Sequence, residues 1–329
     1  MSLPVLHIWP GQWGLSSTDP TCLAAAFYLQ LAIPGKFSIS YCTNPDLSPS
    51  GMLPFLTHGH QVVSPLSSII KYISGVKSDA FEAANMDAGL TSFQISQKTA
   101  WCSHVEANLG DLTAYMFYSL PENWAKLTHR TLAYSLPVPQ RYYVPSRIRT
   151  THRPRLEAAG LWNEQPIESK DLRSSKSSPD HKEKFAQTFQ REKALQTARD
   201  TLDMYVRLLG ENQFVHHGRL TTLDIMLAAH ILVIIKPPFP ETLFSDLLAD
   251  SYPTLVAHAE RILEGSLKAP APTHNSPQSH SISSLFPPLA AQRDKSAEET
   301  EFELRSWGWI SLAVGSVGLY WLTMGIPVM

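Results

Sequence analysis

The stretch GMLPFL at residues 51–56 is the part of the sequence that decides the fold. Its proline is followed by the apolar pair Phe55-Leu56, a short β-type run. Further β-type and helical runs lie on both sides, at 5–9 (β), 21–31 (helix), 37–42 (β) and 65–73 (helix). The order β-α-β-β-(β)-α predicts a small α/β domain over residues 1–76.

The chain beyond residue 76 has a different, helical character up to about residue 265. Apolar residues recur at helical spacing in five runs, at 92–108, 112–120, 185–209, 223–235 and 252–263. A polar segment rich in Ser and charge near 164–184 predicts a mobile insertion, and the Pro- and Ser-rich segment 266–304 predicts a flexible tether. The fold class is therefore α+β, with an all-helical domain over 77–265.

Two helix starts carry capping signals. Asp19 precedes Pro20, which places a carboxylate N-cap before a proline at the first helical position. Thr221 and Asp224 have the spacing of a capping box ahead of an apolar run. These residues, like Pro54, are assigned structural roles.

The last residues, 305–329, have the properties of a transmembrane helix. The segment from Ser306 to Met329 contains no charged residue. At ~1.5 Å per residue, a helix of this length is long enough to cross a bilayer of ~30 Å. We expect a tail anchor with the body facing the cytosol. Small residues recur on one face and form a candidate packing surface: Gly308, Ser311, Gly315, Gly318 and Gly325.

Composition excludes several classes of function. The net charge of −2 gives no field that would favour nucleic acid as a partner. The three cysteines are widely spaced, which is typical of a reducing compartment, and the N-terminus has no secretory or mitochondrial leader pattern. The histidines lack the spacing of a zinc site, so neither a metal nor a cofactor is predicted.

These motifs resemble known families. The 51–56 run and the Thr-x-x-Asp helix start are similar to the glutathione-transferase architecture, with a thioredoxin-like N-terminal domain, and in that family the proline matching Pro54 is cis. The segments that narrow the resemblance to the metaxin family are 13–24, 51–56 with 69–73, 210–224 and 237–240. The resemblance covers residues 5 to about 265.

The metaxin resemblance, added to the predicted anchor, implies a non-enzymatic, membrane-anchored subunit of the mitochondrial sorting and assembly machinery, which inserts β-barrel proteins into the outer membrane. The implied partners are the β-barrel core protein, a peripheral metaxin-like sister subunit, a translocase receptor, precursor β-barrels and membrane lipid. The alternatives are a tail-anchored glutathione-transferase-like protein acting in mitochondrial dynamics, and an active glutathione transferase.

The residues at the two glutathione-contacting positions argue against transferase activity. Ser16, Ser17 and Cys22 lie where active relatives hold the catalytic hydroxyl or thiol, but a capped helix with Cys22 in its core is the favoured explanation. Active relatives bind the γ-glutamyl end of glutathione with an acidic residue and a serine. The resemblance places Pro65 and Leu66 at those positions, and neither side chain offers a hydrogen-bonding group.

A basic stretch has no acidic residue between Pro137 and Leu156. Its arginines are Arg141, Arg147, Arg149, Arg153 and Arg155. They predict either a solvated helix face or a docking surface for an acidic partner segment or lipid headgroups.

Overall fold

The computed structural model describes residues 3–76, 84–162, 181–216 and 218–275, together with Trp309 and Ser316. Residues Met1–Pro277 belong to one compact unit. The predicted insertion lies outside the described residues as far as position 180. The predicted anchor 305–329 also lies outside them except for Trp309 and Ser316, so its glycine face is not described. In the described ranges no helix is long and apolar enough to span a bilayer.

The predicted α+β architecture with a helical C-terminal part is confirmed. The strands are β1 (Val5–Ile8), β2 (Ser38–Tyr41), β3 (Phe55–His58), β4 (Gln61–Val63) and β5 (Thr273–Asn275). The helices are α1 (Pro20–Ala32), α2 (Leu66–Gly75), α3 (Ser92–Ala114), α4 (Pro121–Asn123), α5 (His129–Ser135), α6 (Val144–Ala158), α7 (His181–Leu209), α8 (Thr222–Ile235), α9 (Leu243–Ser251) and α10 (Pro253–Lys268).

The strands form one sheet in the order β4-β3-β1-β2-β5. β1 is central, parallel to β2 and antiparallel to β3, and its Leu6 and Ile8 side chains are fully buried. The Leu53–Pro54 peptide bond, immediately before β3, is cis. Alternating burial along β1 explains why this run forms a strand with one face on the helices.

Two apolar helices, α1 and α8, form the centre of the molecule and pack against each other. Almost every residue of both helices is buried, which explains why neither has a polar face. α3 and α10 pack against α8 on further sides. The boundary between the two halves is therefore a continuous apolar core, and the helices that meet there position the candidate site.

The helical part differs from its prediction in two places. The runs 92–108 and 112–120 belong to one long helix, α3, which continues into a π-helical turn at Tyr115–Ser119. α4, α5 and α9 were not predicted, because each is short. α6, which has few apolar residues at helical spacing, was indicated only by the solvated-helix-face alternative, and it contains all the predicted arginines except Arg141.

The segment predicted as a tether begins differently from the prediction. α10 continues to Lys268, and β5 then pairs in parallel with β2 at the sheet edge. The Gln30 side-chain amide on α1 donates to the carbonyl oxygens of Ala269 and Pro270, at 3.3 and 2.6 Å. A strand of only three residues leaves no apolar pattern in the sequence, so the composition of this segment indicated a flexible tether.

Candidate functional site

The loop before α1 is the place where the catalytic residues of a transferase would lie. Trp13 and Gly14 both have positive φ, 55° and 77°. A side chain at Gly11 would come within 2.3 Å of the Leu15 carbonyl oxygen, so the loop folds tightly back on itself. At its end, Asp19 caps α1 by accepting a hydrogen bond from the Cys22 amide at 2.8 Å.

The serine and cysteine side chains near this loop are buried or half-buried in the fold. Ser17 is fully buried, and its hydroxyl accepts a hydrogen bond from the Asp19 amide at 3.3 Å, whereas Ser16 is half-buried. Cys22 is also fully buried. Burial raises the pKa of its thiol well above the usual value, and the charge of Asp19 raises it further. A reactive cysteine needs the opposite shift, so this thiol does not have the environment of a nucleophile.

The start of α2 is the place where the γ-glutamyl end of glutathione would bind. Pro65 is the N-cap residue and provides no side-chain hydrogen bond, and Leu66 is buried. Three serine hydroxyls near this point bond to one another, Ser48 to Ser50 at 3.0 Å and Ser48 to Ser64 at 3.1 Å. The position therefore has no carboxylate for the ammonium group of glutathione.

Aromatic side chains connect this loop to the helical half. The ring of Phe117 lies 6.3 Å from that of Trp13 and 5.0 Å from that of Phe239, and Phe117 is buried. The next residue, Tyr118, stacks on His152 of α6 with centroids 4.3 Å apart. Burial lowers the pKa of His152 to about 4, so this imidazole is neutral at pH 7. The π-helical turn thus presents packing side chains at this boundary.

Two of the predicted arginines make several contacts with neighbouring helices. The Arg149 Nε donates to the Tyr118 carbonyl oxygen at 2.8 Å, and its guanidinium lies 5.0 Å from the Trp124 ring and 5.2 Å from the Trp162 ring. Arg155 pairs with Asp111 and donates to two carbonyl oxygens of α3. These contacts fasten α6 to the helices beside it.

The other three arginines make ion pairs or close a loop. Arg153 pairs with Glu157, one turn along α6. Arg147 reaches Asp46 at 3.8 Å, which joins α6 to the loop after β2. Arg141 donates to the Leu136 carbonyl oxygen at 3.3 Å and so closes the loop between α5 and α6. All five arginines therefore have partners within the fold, and Arg147, Arg153 and Arg155 are each about half exposed.

The start of α8 holds the most extensively bonded carboxylate in the described ranges. Asp224 is fully buried and accepts hydrogen bonds from the Thr221 amide, the Thr221 hydroxyl and the Val215 amide, at 2.9, 2.7 and 2.9 Å. His258 of α10 donates from Nε2 at 3.1 Å. The capping box is present, and the fold adds two partners that no local pattern indicates.

Asp87 is a residue that the sequence interpretation missed. It accepts hydrogen bonds from the Thr222 amide and hydroxyl, at 3.1 and 2.7 Å, and from Lys98 at 2.8 Å. Burial raises the pKa of Asp87, but the bonds from Lys98 and Thr222 outweigh this effect and hold the pKa below its usual value. Asn85 and Asp87 form a local turn, which is a weak signal in the sequence.

Metal chemistry has no support in the described part of the chain, where no group of three His, Cys, Asp or Glu residues could hold an ion. The cysteines Cys22, Cys42 and Cys102 are free, and burial raises the pKa of each thiol. What the arrangement supports is packing between the two halves and support of α8.

Comparison with known proteins relates this geometry to a family. The model of the family described as "Outer mitochondrial membrane transport complex protein" (Tom37) matches residues 22–149. "Metaxin-1" of Bos taurus is 25% identical over 242 residues, which cover 73% of this chain and 68% of the relative. The "Mitochondrial outer membrane import complex protein METAXIN" of Arabidopsis thaliana is 27% identical over 319 residues, 94% of this chain and 89% of the relative.

Solved structures show the same fold. A glutathione S-transferase of Ceriporiopsis subvermispora, in complex with glutathione, matches 80% of this chain and 98% of its own, with a TM-score of 0.51 and 14% identity. At this identity the likeness shows a glutathione-transferase-like fold and nothing about activity.

Proposed function

Because this chain belongs to the metaxin family, we propose that it acts as a non-enzymatic subunit of an outer mitochondrial membrane transport complex. The observation that carries the proposal is the match to the plant import-complex protein along 94% of the chain. We place the protein at the mitochondrial outer membrane with its body facing the cytosol. Its finer role in this proposal is to assist insertion and assembly of β-barrel proteins.

We propose that the chain lacks enzymatic activity because of the residues at the two positions that would contact glutathione. Pro65 and Leu66 leave the γ-glutamyl group of glutathione without an acidic partner, and Cys22 is buried with a raised pKa. Each unmet hydrogen bond to a charged group costs roughly 1.5–3 kcal/mol, so losing two weakens binding by about two to four orders of magnitude. The glutathione-transferase-like fold then serves as a scaffold for protein contacts.

The test of this function is affinity purification of the full-length chain from mitochondria. We expect the β-barrel core protein of the outer membrane and a peripheral metaxin-like sister subunit to co-purify, with a translocase receptor or precursor barrels as weaker partners. If no β-barrel assembly protein co-purifies while a factor of mitochondrial dynamics does, the role in assembly is wrong and the alternative is favoured.

The predicted domain division leads to a second part of the proposal. The body, with domains at 1–76 and 77–265, is proposed to carry the binding surfaces, while 305–329 anchors it. Because β5 completes the sheet, a shortened chain should end after Pro277 and not at residue 265. It should still bind partners, but more weakly, since the local concentration that an anchor provides is lost. Complete loss of binding would assign the interface to the segments beyond the body.

The glycine face of the anchor is tested with two double variants of the full-length chain. Gly315→Leu with Gly318→Leu adds bulk where close helix packing is proposed. The matched control is Val314→Leu with Val317→Leu, which changes neighbouring positions but keeps both glycines. Lower complex recovery in detergent for the glycine pair alone supports a packing role, and equal recovery for both pairs makes the anchor a passive tether.

A further inference from the structure

The connection between α5 and α6 displays an unusual concentration of exposed apolar side chains. Tyr134 is 87% exposed, Tyr142 is 74% exposed and Val138 is 56% exposed. Tyr143 beside them is about half exposed. We call residues 130–147 the aromatic tip. Exposed apolar groups that cluster in one compact segment mark an interaction surface more often than scattered ones do.

The aromatic tip has a defined conformation. The Arg141 guanidinium donates to the Leu136 carbonyl oxygen at 3.3 Å, and the Tyr143 amide donates to the Gln140 carbonyl oxygen at 3.2 Å. α5 and α6, which form its two ends, contact each other. The exposed tyrosines are therefore presented on ordered backbone, Tyr134 on α5 and Tyr142 in the turn before α6, and little conformational entropy is lost when they bind.

The charged residues within this chain segment are all basic, while acidic residues from outside it contact Lys126, Arg147, Arg153 and Arg155. Between residues 123 and 156 the sequence contains seven Lys and Arg residues and no Asp or Glu. Arg130 is exposed, lies one turn before Tyr134 on α5, and makes no ion pair within the described ranges. Arg147 lies one turn after Tyr143 and is half exposed. Cations thus flank the tyrosines on both sides, so a complementary partner is anionic.

We propose that the aromatic tip docks this protein on an anionic lipid surface, with Tyr134 and Tyr142 at headgroup level and Arg130 and Arg147 near lipid phosphates. Tyrosine has an apolar ring and a polar end, which is the chemistry of an interfacial position in a bilayer. Basic residues close to a membrane are attracted to anionic lipids.

The experiment measures amide hydrogen exchange across residues 130–147 of the full-length chain. The chain is reconstituted into vesicles of phosphatidylcholine, with and without phosphatidylinositol, and no other protein is present. We expect slower exchange at residues 134–143 only with phosphatidylinositol. The protection should decrease as ionic strength rises, because salt screens exposed charges. Both vesicle faces carry the same lipid, so the orientation of the chain does not affect the result.

Variants separate the tip from general effects. Tyr134→Ser with Tyr142→Ser should abolish the protection, and Arg130→Gln should raise the phosphatidylinositol fraction needed for half-maximal protection about fivefold. The matched controls, Phe93→Ser and Arg207→Gln, remove an exposed aromatic ring and an exposed cation elsewhere and should leave protection unchanged.

Three outcomes would overturn the proposal. They are protection that does not depend on anionic lipid, protection that the control variants reduce as much as the tip variants do, and protection that is absent from the protein-free vesicles and appears only when mitochondrial outer-membrane proteins are added. The last outcome would assign the tip to a protein partner. None of these results bears on membership of the transport complex, which the co-purification test decides separately.

Discussion

The N-terminal ends of α1 and α8 contain the same kinds of residues but have different roles. Both helices are buried and both begin beside an aspartate, Asp19 and Asp224. Asp19 accepts from the Cys22 amide at the boundary where a transferase would hold its substrate. Asp224, with the neighbouring Asp87, binds groups from several distant segments. The buried polar groups at the start of α8 therefore join several segments of the fold, whereas the carboxylate at the start of α1 caps its own helix.

The largest expected effect comes from Asp224→Ala. The substitution leaves four donors without their acceptor in a fully buried site, and each unsatisfied buried donor costs about 1–3 kcal/mol. Denaturant unfolding of the purified chain measures the loss. The control Asp250→Ala removes an exposed carboxylate and should change stability by less than about 0.5 kcal/mol. A loss below about 1 kcal/mol for Asp224→Ala would contradict the comparison.

The next effect is expected for Asp87→Asn, and it depends on pH. The pKa of Asp87 in the folded state is lower than in the unfolded chain, where it is about 3.9. The carboxylate therefore contributes stability above the unfolded pKa, and this contribution is lost as pH falls through the folded pKa. We expect the variant to lose roughly 1–3 kcal/mol at neutral pH and to approach the parent protein in acid. A loss that is independent of pH would exclude the charged hydrogen bonds as its cause.

Asp19→Asn should give a smaller effect with the opposite dependence on pH. Burial raises the folded-state pKa of Asp19 above its unfolded value. The stability linked to this group is therefore fully present below the unfolded pKa and is lost as pH rises through the folded pKa. Asparagine keeps the capping acceptor, so the stability difference should stay below about 1 kcal/mol. Unfolding curves of both variants are measured from acid to neutral pH. If the stability difference changed with pH in the same direction for Asp19→Asn and Asp87→Asn, the distinction between the two helix starts would be wrong.

The smallest expected effect concerns glutathione, which we expect not to bind to this chain. Calorimetric titration of the chain with millimolar glutathione should give no saturable heat, because Pro65 and Leu66 provide no partners for its charged groups. Conjugation assays should give no signal above background. A saturating isotherm in the micromolar range that is lost on changing Ser16, Ser17 or Cys22 would show a functional transferase site.

The sequence predicted the features that depend on local pattern. The α/β beginning, the helical continuation and the two helix starts follow from spacing and capping residues, which act within a few positions of one another. The apolar pattern did not indicate α6, because its arginines give it no apolar stripe, and only the solvated-helix-face alternative for these arginines pointed to it. β5 was missed because a three-residue strand is stabilised by the edge of β2 and has little propensity of its own.

The order of the elements and the family resemblance follow from the sequence alone, because each depends on residues close together in the chain. Only the tertiary structure decided which polar groups meet. Asp87 reaches Thr222 across 135 positions, and Arg149 lies between Trp124 and Trp162. Such partners are chosen by the packing of helices against a common core, and the separation in sequence carries no information about it.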